Sequence, residues 1–545
     1  MEFNHADLFE ELADAIGERT AVVVFDSARG TERRTYADLD AEANRLAHHL
    51  RDAGVEAGRH VGIQLYNGLE YVTALLAALK IRAVPVNVNY RYVEAELEYL
   101  YDDADLVALV YDAEFEDRVT AAAARVPELA HRIVVGGTSP HAVAYPDALA
   151  GSPATRGFDK RSGEDVYIIY TGGTTGMPKG VMWRCADLFM AFGGGNPYGD
   201  PLETPEAVIE TARASGPLVM MPAAPLMHGA AQMATFIGWW MGATIVYTRR
   251  FDAAEVLRAI GAEKVFTINI TGDAMARPLA DAIAAGLYDL SSLAVLSSTG
   301  AILSGAVRDR LQEQLPNVAI LDNFGSSESG FTASGVDGSS PESGMRYRPN
   351  NARLRVLDDA LKEVQPGSGV IGQVAKSGHI AFGYYSDPVK TAKTFVEVDG
   401  VRWLLTGDIA TVEADGTIAI FGRGSQCINT GGEKVYPEEV EAVLKRHPAV
   451  FDALVTGIPD ERFGSRVAAV VQPYGTAPSP EELDAHCRGV LSGYKVPRTY
   501  AFVEEMQRSP AGKADYRWAK QIAEHAAART YNSVALGIHR DTPGS

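Results

Sequence analysis

Cysteine is nearly absent: three thiols, Cys185, Cys427 and Cys487, are spread over 545 residues. No C-x-x-C pair or Cys/His metal spacing joins them, which excludes a disulfide scaffold and a zinc module. Long apolar runs are missing too. The most apolar stretch, around Phe236 to Tyr247, is too short to cross a bilayer, so no integral membrane segment is expected. Positive charge is in deficit: 50 Lys and Arg against 70 Asp and Glu leave a net charge of −20. A surface of that sign repels nucleic acid and anionic lipid. A phosphate-rich ligand would therefore need a locally basic site or a cradle of backbone N–H groups. The opening segment, MEFNHADLFEELADAIG, is acidic and amphipathic, without the basic-then-apolar order of a secretory signal. A reducing cytoplasmic location is expected.

What is present is an alternation of helical and extended patterns. Leu39, Ala43, Leu46, Ala47 and Leu50 recur at helical spacing, and Gly54 supplies a stop. Val61, Ile63 and Leu65 alternate as in a half-buried strand. A second helix from Leu69 to about Ile81 leads to strands at Val84 to Val88 and Leu106 to Tyr111. This rhythm predicts α/β layers. Two segments, 191–207 and 332–351, are rich in Gly, Pro and Ser and read as surface loops, the first as a flexible insertion. After about Phe421 the pattern changes. Helices at Glu438 to Arg446 and Pro480 to Leu491, with strands at Ala453 to Thr456 and Val467 to Val471, predict a small α+β unit. The boundary is placed within FGRGSQC, giving domains 1–423 and 424–545.

The densest chemical signal is Tyr170-Thr-Gly-Gly-Thr-Thr-Gly-Met-Pro-Lys179-Gly180. An apolar strand, Val166 to Tyr170, runs into a loop of glycines and hydroxyls that ends in a lysine. Glycines admit an anion to the backbone N–H groups, threonines add donors and lysine adds charge. It is not a Walker A loop, because Pro178 precedes the lysine and Val181 stands where Ser or Thr would hold magnesium.

With that loop the chain resembles the superfamily of acyl-CoA synthetases, luciferases and peptide-synthetase adenylation domains. Other segments match it in order: Thr35-Tyr36-Ala-Asp-Leu39, Pro225-Leu-Met-His228-Gly229, Asn323-Phe324-Gly325-Ser326-Ser327-Glu328, Thr406-Gly407-Asp408, Gly422-Arg423 and Ser509-Pro-Ala-Gly-Lys513. The resemblance implies a large multi-layer N-terminal AMP-binding domain and a small mobile C-terminal domain. It implies ATP, Mg²⁺ and coenzyme A as cofactor and co-substrates, and a small-molecule carboxylic acid as the acyl donor. No nucleic acid partner is expected, and homo-oligomerisation is left open.

Residue roles follow from the same resemblance. Thr171, Gly172, Gly173, Thr174, Thr175 and Lys179 would hold the β- and γ-phosphates. Gly300, Ala301, Asn323, Phe324 and Gly325 would form the adenine site, with Phe324 stacked on the base. Ser327 would bond the α-phosphate, and Glu328 would place Mg²⁺, a hard cation that prefers carboxylate oxygen. Asp408 would accept from both ribose hydroxyls, with Arg423 in support. His228 would orient the reacting groups, while Met227, Gly229 and Ala230 line the acyl channel. Lys513 would bridge carboxylate and α-phosphate during adenylation only; the small domain then turns about Ser425 and presents Gly431, Gly432 and Lys434 to coenzyme A. The family commonly carries an acidic residue or lysine at the hinge, so the uncharged Ser425 departs from its pattern.

The pocket segment Pro222 to Gln232 carries no carboxylate, unlike the adenylation domains that bind an α-ammonium. An acid with an apolar tail is therefore expected. GVMWR (180–184), TGDAMARPL (271–279), INTGGEKVYPEEVE (428–441) and RSPAGKADYRWAK (508–520) resemble actinobacterial acyl-CoA synthetases that activate fatty and steroid side-chain acids. An aryl-carboxylate–CoA ligase and a luciferase-like adenylating oxygenase are the alternatives.

Overall fold

The computed structural model describes residues 2–171, 177–197, 199–335, 345–349, 353–430, 433–460, 463–508 and 514–535. The chain divides into two units. One comprises Met1–Leu303, Leu311–Thr332 and Lys376–Leu404; the other comprises Ser304–Arg310, Ala333–Ala375 and Leu405–Ser545.

The first unit is built on two mainly parallel sheets. In one, the strands Ala319–Ser326, Val295–Thr299, Thr267–Ile270, Val219–Pro222, Thr244–Thr248 and Thr20–Phe25 lie side by side in that order. In the other, the order is Gly383–Tyr384, Lys179–Arg184, Val166–Thr171, Val84–Asn87, His60–Gln64, Leu106–Asp112, His131–Val135 and Val143–Ala144. All five residues of His60–Gln64 are buried, not alternate ones as their sequence pattern suggests. A parallel sheet has helices on both faces, so both sides of its strands leave water.

Local chemistry explains where the helices begin and end. Thr35 caps the Tyr36–Asp52 helix, its side chain accepting from the Asp38 N–H while the Asp38 carboxylate accepts from the Thr35 N–H. This reciprocal box satisfies two donors that a helix start leaves unpaired. The predicted stripe, Leu39, Ala43, Leu46, Ala47 and Leu50, is fully buried. Beneath it the ammonium of Lys80, wholly removed from solvent, donates to Glu10 and Asp40 at 2.6 Å each. An unpaired ammonium there would cost several kcal/mol, on the order of 3–5; the two carboxylates make its burial tolerable.

The second unit contains the small α+β body predicted from the sequence. Strands Val450–Asp460 and Gly464–Pro473 form a long hairpin, and Thr499–Phe502 joins it in parallel. Side chains alternate across this sheet. Val455, Val467 and Val471 pack under the Pro437–Leu444 helix on one face; Leu454, Ile458 and Val470 meet Ala519 and Ala523 on the other. That period of two is what a sheet covered on both faces requires.

The 191–207 segment departs from the flexible surface insertion expected of it. Gly194 and Gly195 are buried, the Leu202 N–H bonds to the Gly194 carbonyl at 2.8 Å, and a Cβ on Gly195 would meet Leu202 and Phe189. The glycines there have positive φ and pack closely. Of the 332–351 segment, the described parts are strands Gly330–Gly335 and Met345–Pro349.

Candidate active site

The glycine-rich loop sits on a hairpin. Strand Val166–Thr171 pairs antiparallel with Lys179–Arg184, and the last pair is Thr171 with Lys179. The loop's two ends are thus fixed side by side, as a phosphate cradle requires. The Lys179 ammonium lies 3.3 Å from Asp387 Oδ2. Its pKa is raised: burial opposes the charge, but Asp387 outweighs it.

Asn87 locks this stem to the segment that carries His228. Buried at the end of its strand, it accepts from the Tyr170 N–H at 2.8 Å. It donates to the carbonyls of Tyr170 and Met227, at 2.8 and 2.6 Å. His228 follows as the N-cap of the Gly229–Trp240 helix, its N–H bonded to the Pro225 carbonyl at 3.0 Å. Met227 is 1% exposed, within the core that contains Val86, Ile168 and Tyr170. At Gly229 a Cβ would lie 2.9 Å from Ile169 Cγ2 and 3.8 Å from Ser327 Oγ. The small size of Gly229 therefore serves the approach of helix to strand, and it brings Ser327 beside the hairpin that ends at Thr171 and Lys179. Ala230 follows in the first turn, half-buried.

Asn323 to Ser326 form the end of strand Ala319–Ser326, and Ser327 and Glu328 follow in the turn. Asn323 Nδ2 donates to Ser297 Oγ at 2.9 Å, which fixes the amide. Phe324 is half-buried. Gly325 has no room for a Cβ, which would strike the Gly330 carbonyl. The turn beyond is clamped from several sides. Trp183 Nε1 donates to the Ser327 carbonyl at 2.8 Å, the Ala381 N–H to the Glu328 carbonyl at 3.0 Å, and Lys376 Nζ to the Phe331 carbonyl at 3.0 Å. The Tyr384 hydroxyl donates to Glu328 Oε1 at 2.8 Å. Glu328 Oε2 has no partner among the described residues.

Gly300 and Ala301 lie on the loop after strand Val295–Thr299, with Gly300 at φ +80°. That loop packs on the start of the Gly272–Ala285 helix. The Asp273 N–H bonds to the Ile302 carbonyl at 2.9 Å, and a Cβ on Gly272 would lie 2.9 Å from Ala301 Cβ. The TGD at 271–273 thus shapes the expected adenine loop.

In the second unit, Asp408 and Arg423 face each other across paired strands, with Arg423 Nε 2.8 Å from Asp408 Oδ1. The Arg423 N–H donates to Glu438 Oε1 at 3.3 Å. Glu438 is 9% exposed, and its pKa is pushed up to about 8, chiefly by burial and then by the neighbouring Glu441 carboxylate. A Cβ on Gly422, at φ +140°, would run into the Glu438 carboxyl. Lys434 is exposed on the hairpin of Ile428–Thr430 with Glu433–Val435. Ser425 lies in the short turn Gly424–Gln426. Gly172, Gly173, Thr174, Thr175, Gly431, Gly432 and Lys513 lie outside the described residues. The flanks of Lys513 are held: Arg508 bridges to Ala514, and its guanidinium grips Asp452 at 2.7 and 2.8 Å.

Asn87, Tyr384, Asp387 and Glu438 were not singled out from the sequence. Only Asn87 left a trace there, as a polar residue within the apolar run VPVNV.

The AMP-binding enzyme family matches residues 9–385, and the AMP-binding enzyme C-terminal domain matches residues 439–513. A medium/long-chain-fatty-acid–CoA/3-oxocholest-4-en-26-oate–CoA ligase of Mycolicibacterium smegmatis is 46% identical over 540 residues, covering 96% of this chain and 97% of the relative. A 3-oxocholest-4-en-26-oate–CoA ligase of Rhodococcus rhodochrous is 45% identical over 551 residues, covering 98% of each. Among solved structures, the anthranilate CoA ligase AuaEII in complex with anthranoyl-AMP has a TM-score of 0.81 at 26% identity, with 98% of both chains covered. No helix among the described residues is long and apolar enough to cross a membrane. With both of the family's domains matched in order, and relatives aligned almost end to end, the chain belongs to the AMP-binding enzyme family.

Proposed function

We propose that the chain is an ATP-dependent acyl-CoA ligase for a bulky apolar carboxylic acid, a steroid side-chain acid or a medium- to long-chain fatty acid. The observation that carries this reading is the end-to-end similarity to relatives named for those acids. The pocket segment Pro222 to Gln232, which holds no carboxylate, agrees with it.

A carboxylate is a poor acyl donor because oxide is a poor leaving group. In the first step its oxygen attacks the α-phosphorus of ATP, the bond to the bridging oxygen breaks, and pyrophosphate leaves. In the second, the sulfur of coenzyme A attacks the acyl carbon, its proton is lost, and AMP leaves with the former carboxylate oxygen. Neither step needs a nucleophilic side chain; both need positioning and charge stabilisation. Lys179, at the foot of the glycine loop, holds the outer phosphates. Ser327 bonds the α-phosphate, Asn323 and Phe324 receive the adenine, and Asp408 accepts from the ribose hydroxyls with Arg423 steadying it. His228 orients the reacting groups. Lys513 serves adenylation, and Lys434 the nucleotide end of coenzyme A. The domain boundary is taken at 423/424, where Gly424 allows the turn.

The donor set suits magnesium: Glu328 is half-buried and presents one carboxylate oxygen without a partner among the described residues. When bound, the ion neutralises phosphate charge.

Comparing kcat/KM for acetate, octanoate, palmitate and 3-oxocholest-4-en-26-oate tests the reading. Each buried methylene contributes about 0.8 kcal/mol, so acetate should be poorer by several orders of magnitude. Equal or better turnover of palmitate would remove the steroid preference and leave the ligase. A preference for acetate or benzoate would overturn the apolar-pocket reading.

A further inference from the structure

The short strand Gly383–Tyr384 lies against the hairpin that ends at Lys179. Gly383 pairs with Met182 and Tyr384 with Val181. On either side, the Phe382 N–H bonds to the Met182 carbonyl at 2.9 Å and the Tyr385 N–H to the Gly180 carbonyl at 2.8 Å. The position of Tyr384 is therefore set by the backbone of the phosphate-loop stem. The residue is 5% exposed, its ring beside Phe395, with the Lys390 ammonium 4.1 Å from the ring centroid. A buried phenol needs an acceptor, and this one donates to Glu328 Oε1 at 2.8 Å.

That bond has a directional consequence. A glutamate side chain left to itself rotates about its terminal torsion, which has broad wells. Here the backbone of Glu328 is fixed by the Ala381 N–H on its carbonyl and by the Ser326 hydroxyl accepting from its own N–H at 3.2 Å. The Tyr384 hydroxyl then fixes the remaining freedom by occupying Oε1. Oε1 is thereby engaged while Oε2 has no partner among the described residues, so the orientation of the carboxylate is set before a cation would reach it.

We propose that Tyr384 is a positioning residue for the metal–nucleotide complex, acting through Glu328 and tying its aim to the hairpin that carries Lys179. The inference rests on the reading of Glu328 as the magnesium carboxylate. Partners that orient a metal ligand typically contribute about ten- to a hundredfold to metal affinity.

The test uses the full-length protein and Mn²⁺ as a paramagnetic probe, with its binding in the presence of ATP read by electron paramagnetic resonance. Tyr384→Phe keeps the ring and removes only the hydroxyl. It should weaken Mn²⁺ affinity about tenfold, leave metal-free AMP affinity and the melting temperature unchanged, and raise the Mg²⁺ concentration needed for half-maximal pyrophosphate exchange. In Glu328→Gln the effect of Tyr384→Phe should vanish, because the hydroxyl then has no ligand to aim. Unchanged Mn²⁺ affinity in Tyr384→Phe, or full additivity in the double variant, overturns the proposal for Tyr384 while leaving Glu328 its role. Wild-type Mn²⁺ affinity in Glu328→Gln alone overturns the underlying reading as well.

Discussion

Two carboxylates, one in each unit, are expected to serve the nucleotide, and the protein treats them in opposite ways. Glu328 is held by a neutral phenol and keeps one oxygen without a partner among the described residues. Asp408 is locked to the Arg423 guanidinium at 2.8 Å, and beneath that pair lies Glu438, whose pKa is pushed up to about 8, chiefly by burial. A carboxylate meant for a metal must keep its charge and a lone pair accessible. A carboxylate meant to accept from hydroxyls needs fixed geometry and tolerates a cation at its side. The surroundings, more than the residue type, assign the task.

The sharpest break between the regions should come from Lys513→Ala. It is expected to abolish acyl-adenylate formation, measured by pyrophosphate exchange, and to spare thioester formation from supplied acyl-adenylate. Equal loss of both half-reactions would remove the idea that this lysine serves one step.

Next in size is Glu328→Ala, which should lower the adenylation rate on the order of a hundredfold or more, with Glu328→Asp much milder. Asp408→Ala should cost less, about tenfold, and in nucleotide affinity. A reversed order in single-turnover kinetics would invert the contrast drawn between the two carboxylates.

Glu438 gives a pH signature confined to the second unit. Its folded-state pKa of about 8 lies above the ordinary 4.5. The folded protein therefore keeps a proton that the unfolded chain has lost, and stability falls as pH rises from about 4.5 to about 8, by at most about 1.4 kcal/mol per unit. Below that window the contribution is fully present, and above it there is no further loss. Glu438→Gln should gain stability relative to wild type across the same window, read by urea unfolding. A constant difference between the two proteins would mean that Glu438 does not titrate there.

The smallest effect is expected from Asp387→Asn. The Lys179–Asp387 pair is 30% and 22% exposed, and such pairs contribute about 0–1 kcal/mol. If Lys179 leaves Asp387 to meet phosphate, as proposed, ATP affinity should rise a few-fold at most, measured by calorimetry. A loss of affinity would show that Asp387 holds Lys179 in its working position.

Much of the architecture was legible because it is local. The Tyr36–Asp52 helix was legible as the stripe Leu39, Ala43, Leu46, Ala47 and Leu50, and the strand entering the glycine loop as the apolar run Val166 to Tyr170; the capping box at Thr35 and the return strand Lys179–Arg184 were not read from the sequence. The small domain was legible as a change of pattern after Phe421, with strands expected at Ala453 to Thr456 and Val467 to Val471, which lie inside the longer Val450–Asp460 and Gly464–Pro473. The family's ordered motifs named the candidate site. The same local logic missed the start of 191–207, where Gly193, Gly194 and Gly195 pack closely at positive φ, although residues 199–201 are exposed as a surface loop should be.

The layers, the strand that enters the glycine loop and the residue types proposed to meet the ligands could thus be read from the amino-acid order alone. It did not determine what holds those residues in place. Asn87 reaches Met227 across 140 positions, and Tyr384 reaches Glu328 across 56. Glu438 looks like any solvated glutamate in a helix's first turn until the fold buries it against Arg423 and Glu441. Propensity, capping and periodicity are interactions between near neighbours in the chain, whereas aim and protonation are set by whichever groups the folded backbone brings within a few ångströms and by how much water it excludes.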